Sequence, residues 1–392
     1  MRFPFHTITF LFLLLLFPGF LLHAQGYPIG EVRLTFLDSS RNDREISVDV
    51  FYPALIAGEE VPCAQGVFPV LSLGHGFVMT INAYHNFRDV LVPEGFVLAL
   101  VDTETGASPS HSDFGLDLAF IIRAIQALSM DTASLFFSHI NSKLVVMGHS
   151  MGGGASLLAA AADPSITALV GFAPAETNPS AINAAGQIYQ PTLLFAGEED
   201  CVTPPAQHPV PMFNALASAC KTYVSIEGGG HCYFANYNLL CSIGENLCFP
   251  NLTISREEQQ ARTFSLLIHW LHCVLEGETN ACSSFMDTLS QAPGINYVHS
   301  CPSLFIPESG QLNPPVRLIP NPFRHRLALL SEIPLEKISI RDAQGRLCFF
   351  YAFPRLSTTW EADTSQLIPG IYFIHIETRD GQSFSLKGIK LS

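Results

Sequence analysis

Between Glu31 and Cys282 two apolar patterns take turns along the chain. Residues 70–73, 96–101, 143–147, 168–172 and 192–196 are nearly unbroken apolar runs, as strands buried on both faces of a parallel sheet require. Runs at 32–37, 46–51 and 222–226 bring the predicted strands to eight. Between the runs, residues 116–128 space their apolar side chains at helical intervals, 155–162 are small helix formers, and 257–275 read as a long amphipathic helix. Strand followed by helix, repeated, predicts an α/β domain with a mostly parallel sheet flanked by helices. Its expected span is 25–284.

The pattern then changes. Pro, Ser, Gly and Asn are scattered without period from Ser283, so 285–315 read as a linker. From Val316 onward short alternating strands at 337–341, 347–351 and 371–377 are separated by turn signals, Asp342-Ala343-Gln344-Gly345 and Arg379-Asp380-Gly381. Residues 316–392 therefore predict a small all-β, Ig-like sandwich. At the other end Arg2 precedes an apolar run at 8–22 and then Leu22-His23-Ala24. That run, roughly 15 residues, falls short of the roughly 20 a bilayer span needs, and no basic cluster follows it. Residues 1–24 read as a cleaved signal peptide, and no stable membrane span is expected.

Composition adds two exclusions and one inference. The chain of 392 residues is 48% hydrophobic and 14% charged, with a formal charge of −14. Such a surface repels phosphate backbones, which excludes nucleic acid as a partner. Export to an oxidising compartment makes the ten cysteines disulfide candidates rather than zinc ligands. None shows a C-x-x-C spacing, and seven fall between Cys201 and Cys282. Spacing allows Cys241 with Cys248, Cys273 with Cys282, and Cys201 with Cys232.

The sharpest chemical signal is Gly148-His149-Ser150-Met151-Gly152, which directly follows the predicted strand 143–147 and opens the small-residue helix. A serine on so tight a strand-to-helix turn is a nucleophile elbow, and the glycines on either side let strand and helix pass closely. A serine nucleophile needs a base and an acid that orients it, in the chain order Ser, acid, His. Asp200, in Gly197-Glu198-Glu199-Asp200, and His231, after Gly228-Gly229-Gly230, each follow the end of a predicted strand, where open α/β sheets place their sites. Glu198 and Glu199 are the alternative acids. Two backbone N–H groups should meet the oxyanion: that of Met151, and that of Phe77 in Gly74-His75-Gly76-Phe77. Phe77, Met151, Ala175 and the aromatic residues Tyr233 and Phe234 are the candidate substrate contacts. His75 and His149 are expected to bond locally, with no metal and no cofactor. Cys201 and Cys232 each follow a proposed triad member, so a bridge between them would tie the acid loop to the base loop.

Gly148-His149-Ser150-Met151-Gly152-Gly153-Gly154, the turn from Gly197 through Asp200 to Pro204, and the late His231 together resemble the α/β-hydrolase superfamily. Within it they are similar to the dienelactone-hydrolase-like and cutinase or PET-hydrolase-like branch, which includes chlorophyllase-type esterases. The resemblance implies serine-esterase chemistry through an acyl-enzyme on carboxylic esters. An amidase or peptidase on the same scaffold, and a surface binding protein on an inactive scaffold, are the competing readings. Two departures stand out. Phe172-Ala173-Pro174-Ala175 occupies the place where PET hydrolases carry a Trp, and a Cys-rich insertion follows His231. Dienelactone hydrolases proper use a Cys where this chain has Ser150.

The C-terminal region resembles the sorting domain of the type IX secretion system, through Pro320-Asn321-Pro322-Phe323, the turn 342–346, Gly370-Ile371-Tyr372-Phe373 and Lys387-Gly388-Ile389-Lys390. That resemblance implies a Gram-negative cell, passage through the periplasm, recognition by the secretion machinery, and release or display at the surface. The expected product is a monomer.

Overall fold

The computed structural model describes residues 26–301, 316–320, 323–331, 333–342, 346–379 and 383–391. The signal-peptide segment 1–24, linker residues 302–315, Asn321-Pro322, the turn residues 343–345 and Asp380-Gly381 lie outside the described residues. The chain divides into two compact units, 1–305 and 306–392.

In the first unit the strands are β1 (Ile29–Asp38), β2 (Arg44–Pro53), β3 (Gly58–Glu59), β4 (Phe68–Gly74), β5 (Val97–Val101), β6 (Ile140–His149), β7 (Ala168–Phe172), β8 (Thr192–Gly197), β9 (Lys221–Ile226) and β10 (Ile295–Ser300). They form one ten-stranded sheet in the order β10-β9-β8-β7-β6-β4-β5-β2-β1-β3. From β5 to β9 every neighbouring pair is parallel, while β2 pairs antiparallel with both β1 and β5. The successive parallel strands therefore end on one edge of the sheet, and the site loops leave from that edge.

Alternate side chains of each inner strand feed opposite cores. Val70 of β4 points into a core shared with α2 (His111–Leu128) and α3 (Met151–Ala162), through Phe114, Leu118 and Leu157. Leu71 and Leu73 point into a second core with α1 (His85–Leu91), α7 (Arg256–Glu276) and α8 (Thr279–Gln291), through Phe87, Leu267, Trp270 and Phe285. Two short helices, α4 (Ala181–Ala185) and α5 (Pro209–Ala215), also pack on the first face. The helix starts follow capping chemistry: Ser110 accepts from Asp113 N ahead of α2, and Ser255 from Glu258 N ahead of α7. Gly277, at φ 70°, ends α7 in the left-handed conformation that glycine adopts without penalty.

The expected linker starts too early. Residues 279–291 are α8, whose Ala281, Cys282, Phe285 and Leu289 are buried at helical spacing, and 295–300 are β10, paired antiparallel with β9 along the sheet edge. The short strand β3 also went unanticipated.

The second unit contains β11 (Val316–Ile319), β12 (Arg326–Ser331), β13 (Leu335–Asp342), β14 (Leu347–Ala352), β15 (Thr359–Asp363), β16 (Gly370–Thr378) and β17 (Ser383–Lys390). They make a three-stranded sheet, β11-β12-β15, and a four-stranded one, β14-β13-β16-β17. Leu327, Leu329 and Trp360 of the first sheet share one core with Ile338, Ile340, Ile374 and Ile376 of the second, which makes the unit a small β-sandwich.

Among the described residues no helix is long and apolar enough to cross a membrane. Four disulfides are present: Cys201–Cys248, Cys220–Cys301, Cys232–Cys241 and Cys273–Cys282. The spacing argument placed Cys273 with Cys282, as found. It mispaired the others, because Cys201 and Cys232 each bond to a different end of the insertion rather than to each other. Cys63 is free and buried, and Cys348 is free and exposed.

Candidate active site

Ser150 sits between β6 and α3 with φ 56° and ψ −119°, a strained conformation that costs roughly 1–3 kcal/mol and persists only where its surroundings enforce it. Backbone contacts do so here. Ser150 N donates to Phe172 O at 3.0 Å, and Ser150 O accepts from Ala175 N at 2.8 Å. The flanking glycines are needed for close approach, since a Cβ on Gly148 would lie 2.1 Å from Gly152 O, and one on Gly152 would lie 2.2 Å from Gly74 C. Gly152 N donates to His75 O at 3.0 Å, binding the elbow to the loop after β4.

Asp200 and His231 follow β8 and β9 at the same sheet edge and are both about 3% exposed. His231 Nδ1 lies 2.8 Å from Asp200 Oδ2. Asp200 Oδ1 accepts the N–H groups of Val202 and Thr203 at 2.9 and 2.8 Å. The Thr203 hydroxyl lies 2.8 Å from Asp200 Oδ2 and 3.0 Å from His231 Nδ1. Burial pushes the Asp200 carboxyl up, but the adjacent His231, by charge and hydrogen bond, and the Thr203 donors outweigh it and hold the group below its usual value. Glu198 and Glu199 do not share this position: Glu198 is exposed, with its carboxylate on Gly228 N at 3.1 Å, and Glu199 is half-buried.

A buried relay joins the three loops. Gly76 N donates to Tyr84 Oη at 2.7 Å, Tyr84 Oη lies 2.9 Å from His149 Nδ1, and His149 Nε2 lies 3.0 Å from His231 O. A carbonyl only accepts, so Nε2 carries a proton. Burial, reinforced by the neighbouring His231, pushes the His149 pKa down to about 3, so the ring is neutral and Nδ1 is an acceptor. The Tyr84 hydroxyl therefore donates to His149. The relay runs in one direction from the Gly76 loop to the elbow, with His149 in turn donating to the base loop. His75, the other candidate for local bonding, lies 2.7 Å from Thr103 O and 2.9 Å from Gly76 O and packs on Phe114.

The remaining site candidates divide. Met151 heads α3, where the first N–H groups have no helical acceptor, and its side chain is buried. Phe77, beside Gly76, is 49% exposed. Ala175 is half-buried against the elbow. Tyr233 is half-buried beneath Arg256, whose guanidinium lies 4.6 Å from the ring centroid. Phe234 is 1% exposed and packs on His149 and Phe172, so it is core and not surface.

Sequence reasoning missed Thr203, Tyr84, Glu245 and Gln259. Thr203 stands three residues past Asp200, the spacing at which a short side chain caps a turn. Gln259 of α7 grips Gly230 by both backbone groups, at 2.9 Å each. The run Gly228-Gly229-Gly230 serves close packing, since a Cβ on Gly228 would lie 1.8 Å from Thr253 Oγ1 and one on Gly229 2.7 Å from Gln259 Oε1.

A family model described as PET hydrolase-like matches residues 50–246, a span holding the elbow, Asp200 and His231. The chain belongs to the PET hydrolase-like family. Among relatives of this family member is Cutinase 1 of Thermobifida cellulosilytica, 28% identical over 171 residues that make up 43% of this chain and 63% of the cutinase. A cutinase of Thermobifida fusca is 28% identical over 171 residues, 43% of this chain and 54% of that protein. The bis(hydroxyethyl) terephthalate hydrolase of Streptomyces coelicolor is 27% identical over 169 residues, 43% of this chain and 52% of that protein. The chain thus spans less than two thirds of the length of these curated relatives. A second family model, the secretion system C-terminal sorting domain, matches residues 317–390. The β-sandwich is this sorting domain, of the type IX kind, and it marks the protein for the cell surface or the extracellular space.

Proposed function

We propose that this PET hydrolase-like chain is a serine ester hydrolase working through an acyl-enzyme. The observation that carries the reading is the 2.8 Å bond between His231 Nδ1 and Asp200 Oδ2, at the sheet edge where the strained Ser150 turn lies. Ser150 Oγ attacks the ester carbonyl carbon while His231 Nε2 takes its proton. Asp200 keeps the proton of the neutral ring on Nδ1 and stabilises the imidazolium. The oxyanion is met by the N–H groups of Met151 and Phe77. Collapse breaks the ester C–O bond, the alcohol leaves with the proton from His231, and water then repeats the sequence to free the acid. Bonds and protons balance without a cofactor.

An apolar, uncharged ester is the substrate that the surroundings favour. Phe77, Leu239, Leu240, Ile243, Leu247 and Phe249 are all exposed, the last five on or beside the helix that follows the base loop. The cutinase and terephthalate-ester hydrolase relatives support the same class, esters of polyester type. Export is assigned to the type IX machinery acting on the sorting domain.

The test is hydrolysis of p-nitrophenyl esters of increasing acyl length by the mature protein and its Ser150→Ala variant. Loss of Ser150 should reduce turnover about a millionfold. Turnover that survives in the variant overturns the serine mechanism.

A further inference from the structure

The insertion after His231 folds into α6 (Leu239–Asn246). From Cys232 to Ser255 its one ionisable carboxylate or basic side chain is Glu245, and that side chain turns inward, 3% exposed. Its Oε1 accepts the backbone N–H of His231 at 2.5 Å and that of Cys232 at 3.1 Å. The same oxygen explains Gly230, because a Cβ there would lie 2.5 Å from it. Two disulfides fix the helix at both ends. Cys232–Cys241 ties the residue after His231 to its first turn, and Cys201–Cys248 ties the residue after Asp200 to the segment just past its last turn.

We infer that α6 braces the acid and base loops and that Glu245 is the positioning residue for His231. The inference rests on the reading of Ser150, Asp200 and His231 as a triad. The His231 backbone is gripped from two sides, its N–H by Glu245 and its carbonyl by His149 Nε2. Its imidazole is gripped separately by Asp200 and Thr203. The two backbone bonds fix where the side chain of His231 is attached, and the bonds from Asp200 and Thr203 fix the rotation of the ring about that anchor. Glu245 thus acts on the base by geometry, through the backbone that carries the ring.

Glu245→Ala removes acceptor and charge, whereas Glu245→Gln keeps an acceptor oxygen and removes the charge. Hydrolysis of p-nitrophenyl butyrate should lose about 10- to 100-fold in kcat in the Ala variant, with KM changed far less, as misplacement of a reacting group predicts. The Gln variant, which keeps the acceptor, should recover most of kcat. A purely structural role would lower melting and leave kcat of the folded protein unchanged. An Ala variant that matches the wild-type kcat, or a Gln variant that recovers none of the loss, overturns the inference. Should the Ala variant fail to fold, Glu245→Asp, which keeps the carboxylate and shortens its reach, takes its place, and a kcat equal to the wild type then overturns the inference. Covalent labelling of the wild type by a fluorophosphonate separates the two levels. Absence of label, together with unimpaired Ser150→Ala, means that the triad reading has failed, whereas label at Ser150 with unaffected Glu245 variants means that only the brace has failed.

Discussion

Replacing Tyr84 by Phe deletes one oxygen from the buried relay and leaves the ring in place. The consequence follows from the direction of the hydrogen bonds. Gly76 N–H loses its acceptor, and His149 Nδ1, held unprotonated by burial, loses its donor. Tyr84 and His149 are fully buried, so water cannot substitute without opening the core. Each orphaned group costs about 1–3 kcal/mol, which gives roughly 2–6 kcal/mol for the pair. Loss of the Met79 Sδ contact at 3.2 Å adds little, since the single hydroxyl proton is committed to His149 and the thioether is only a van der Waals neighbour. At about 2–4 °C per kcal/mol for a unit of this size, melting should fall by roughly 4–24 °C. The assay is circular dichroism melting at pH 7.5 beside p-nitrophenyl acetate hydrolysis. Turnover should fall as well, because Gly76 precedes the proposed oxyanion donor Phe77. A variant that melts within about 1 °C of the wild type would refute both the tautomer assignment and the direction of the relay.

Three further outcomes are expected. Folded His149 protonates only near pH 3, against an ordinary value of 6.5, so the unfolded chain takes up that proton first. Stability is then fully present above about pH 6.5 and declines by up to about 1.4 kcal/mol per unit as pH falls toward 3; denaturant titrations should show this slope flattened in His149→Gln. The depressed Asp200 carboxyl adds its own loss only in the carboxylate range, as pH falls from its unfolded value through the lower folded one. Thr203→Val keeps the shape and removes the hydroxyl shared by Asp200 and His231; unfolding free energy should drop by about 1.5–3 kcal/mol and kcat by about tenfold, read from urea curves and ester kinetics. A chain stopped after Pro315 should remain inside the cell envelope while the full chain reaches the surface or medium; fractionation and immunoblotting would show the difference, and export of the truncated form would contradict the role of the sorting domain.

Local chemistry made much of this molecule legible from its sequence. Each of the eight predicted strands overlaps an observed one, with Phe96 alone falling outside, and the five continuous apolar runs have few alternatives in a sheet covered on both faces. Ser150, Asp200 and His231 could be named as candidates because each follows a strand end, a position that sequence order defines. What escaped depends on contacts between distant segments. Glu245 and Tyr84 carry no local signal of their partners, and neighbours in sequence such as Cys201 and Asp200 do not reveal that α6 comes between the two loops. The helix α8 was hidden by the polar residues of its exposed side, although Phe285 and Leu289 stand four apart. The edge strand β10 buries little, its residues being half-buried or exposed, so it lacks the apolar run that identified its neighbours.

The bridge between Cys220 and Cys301 has a consequence for how the two units part. Cys220 precedes β9 and Cys301 follows β10, and the last ladder pair between them is Lys221 with Ser300. The covalent bond therefore rivets shut the end of the ladder at which the polypeptide leaves the hydrolase. A cut anywhere from 302 to 315 would generate a new carboxyl terminus that cannot peel the outermost strand away, because unzipping would have to start at a closed link. Shedding of the sorting domain would thus leave the sheet border sealed, and β9 would not become a bare edge able to recruit a strand from another molecule.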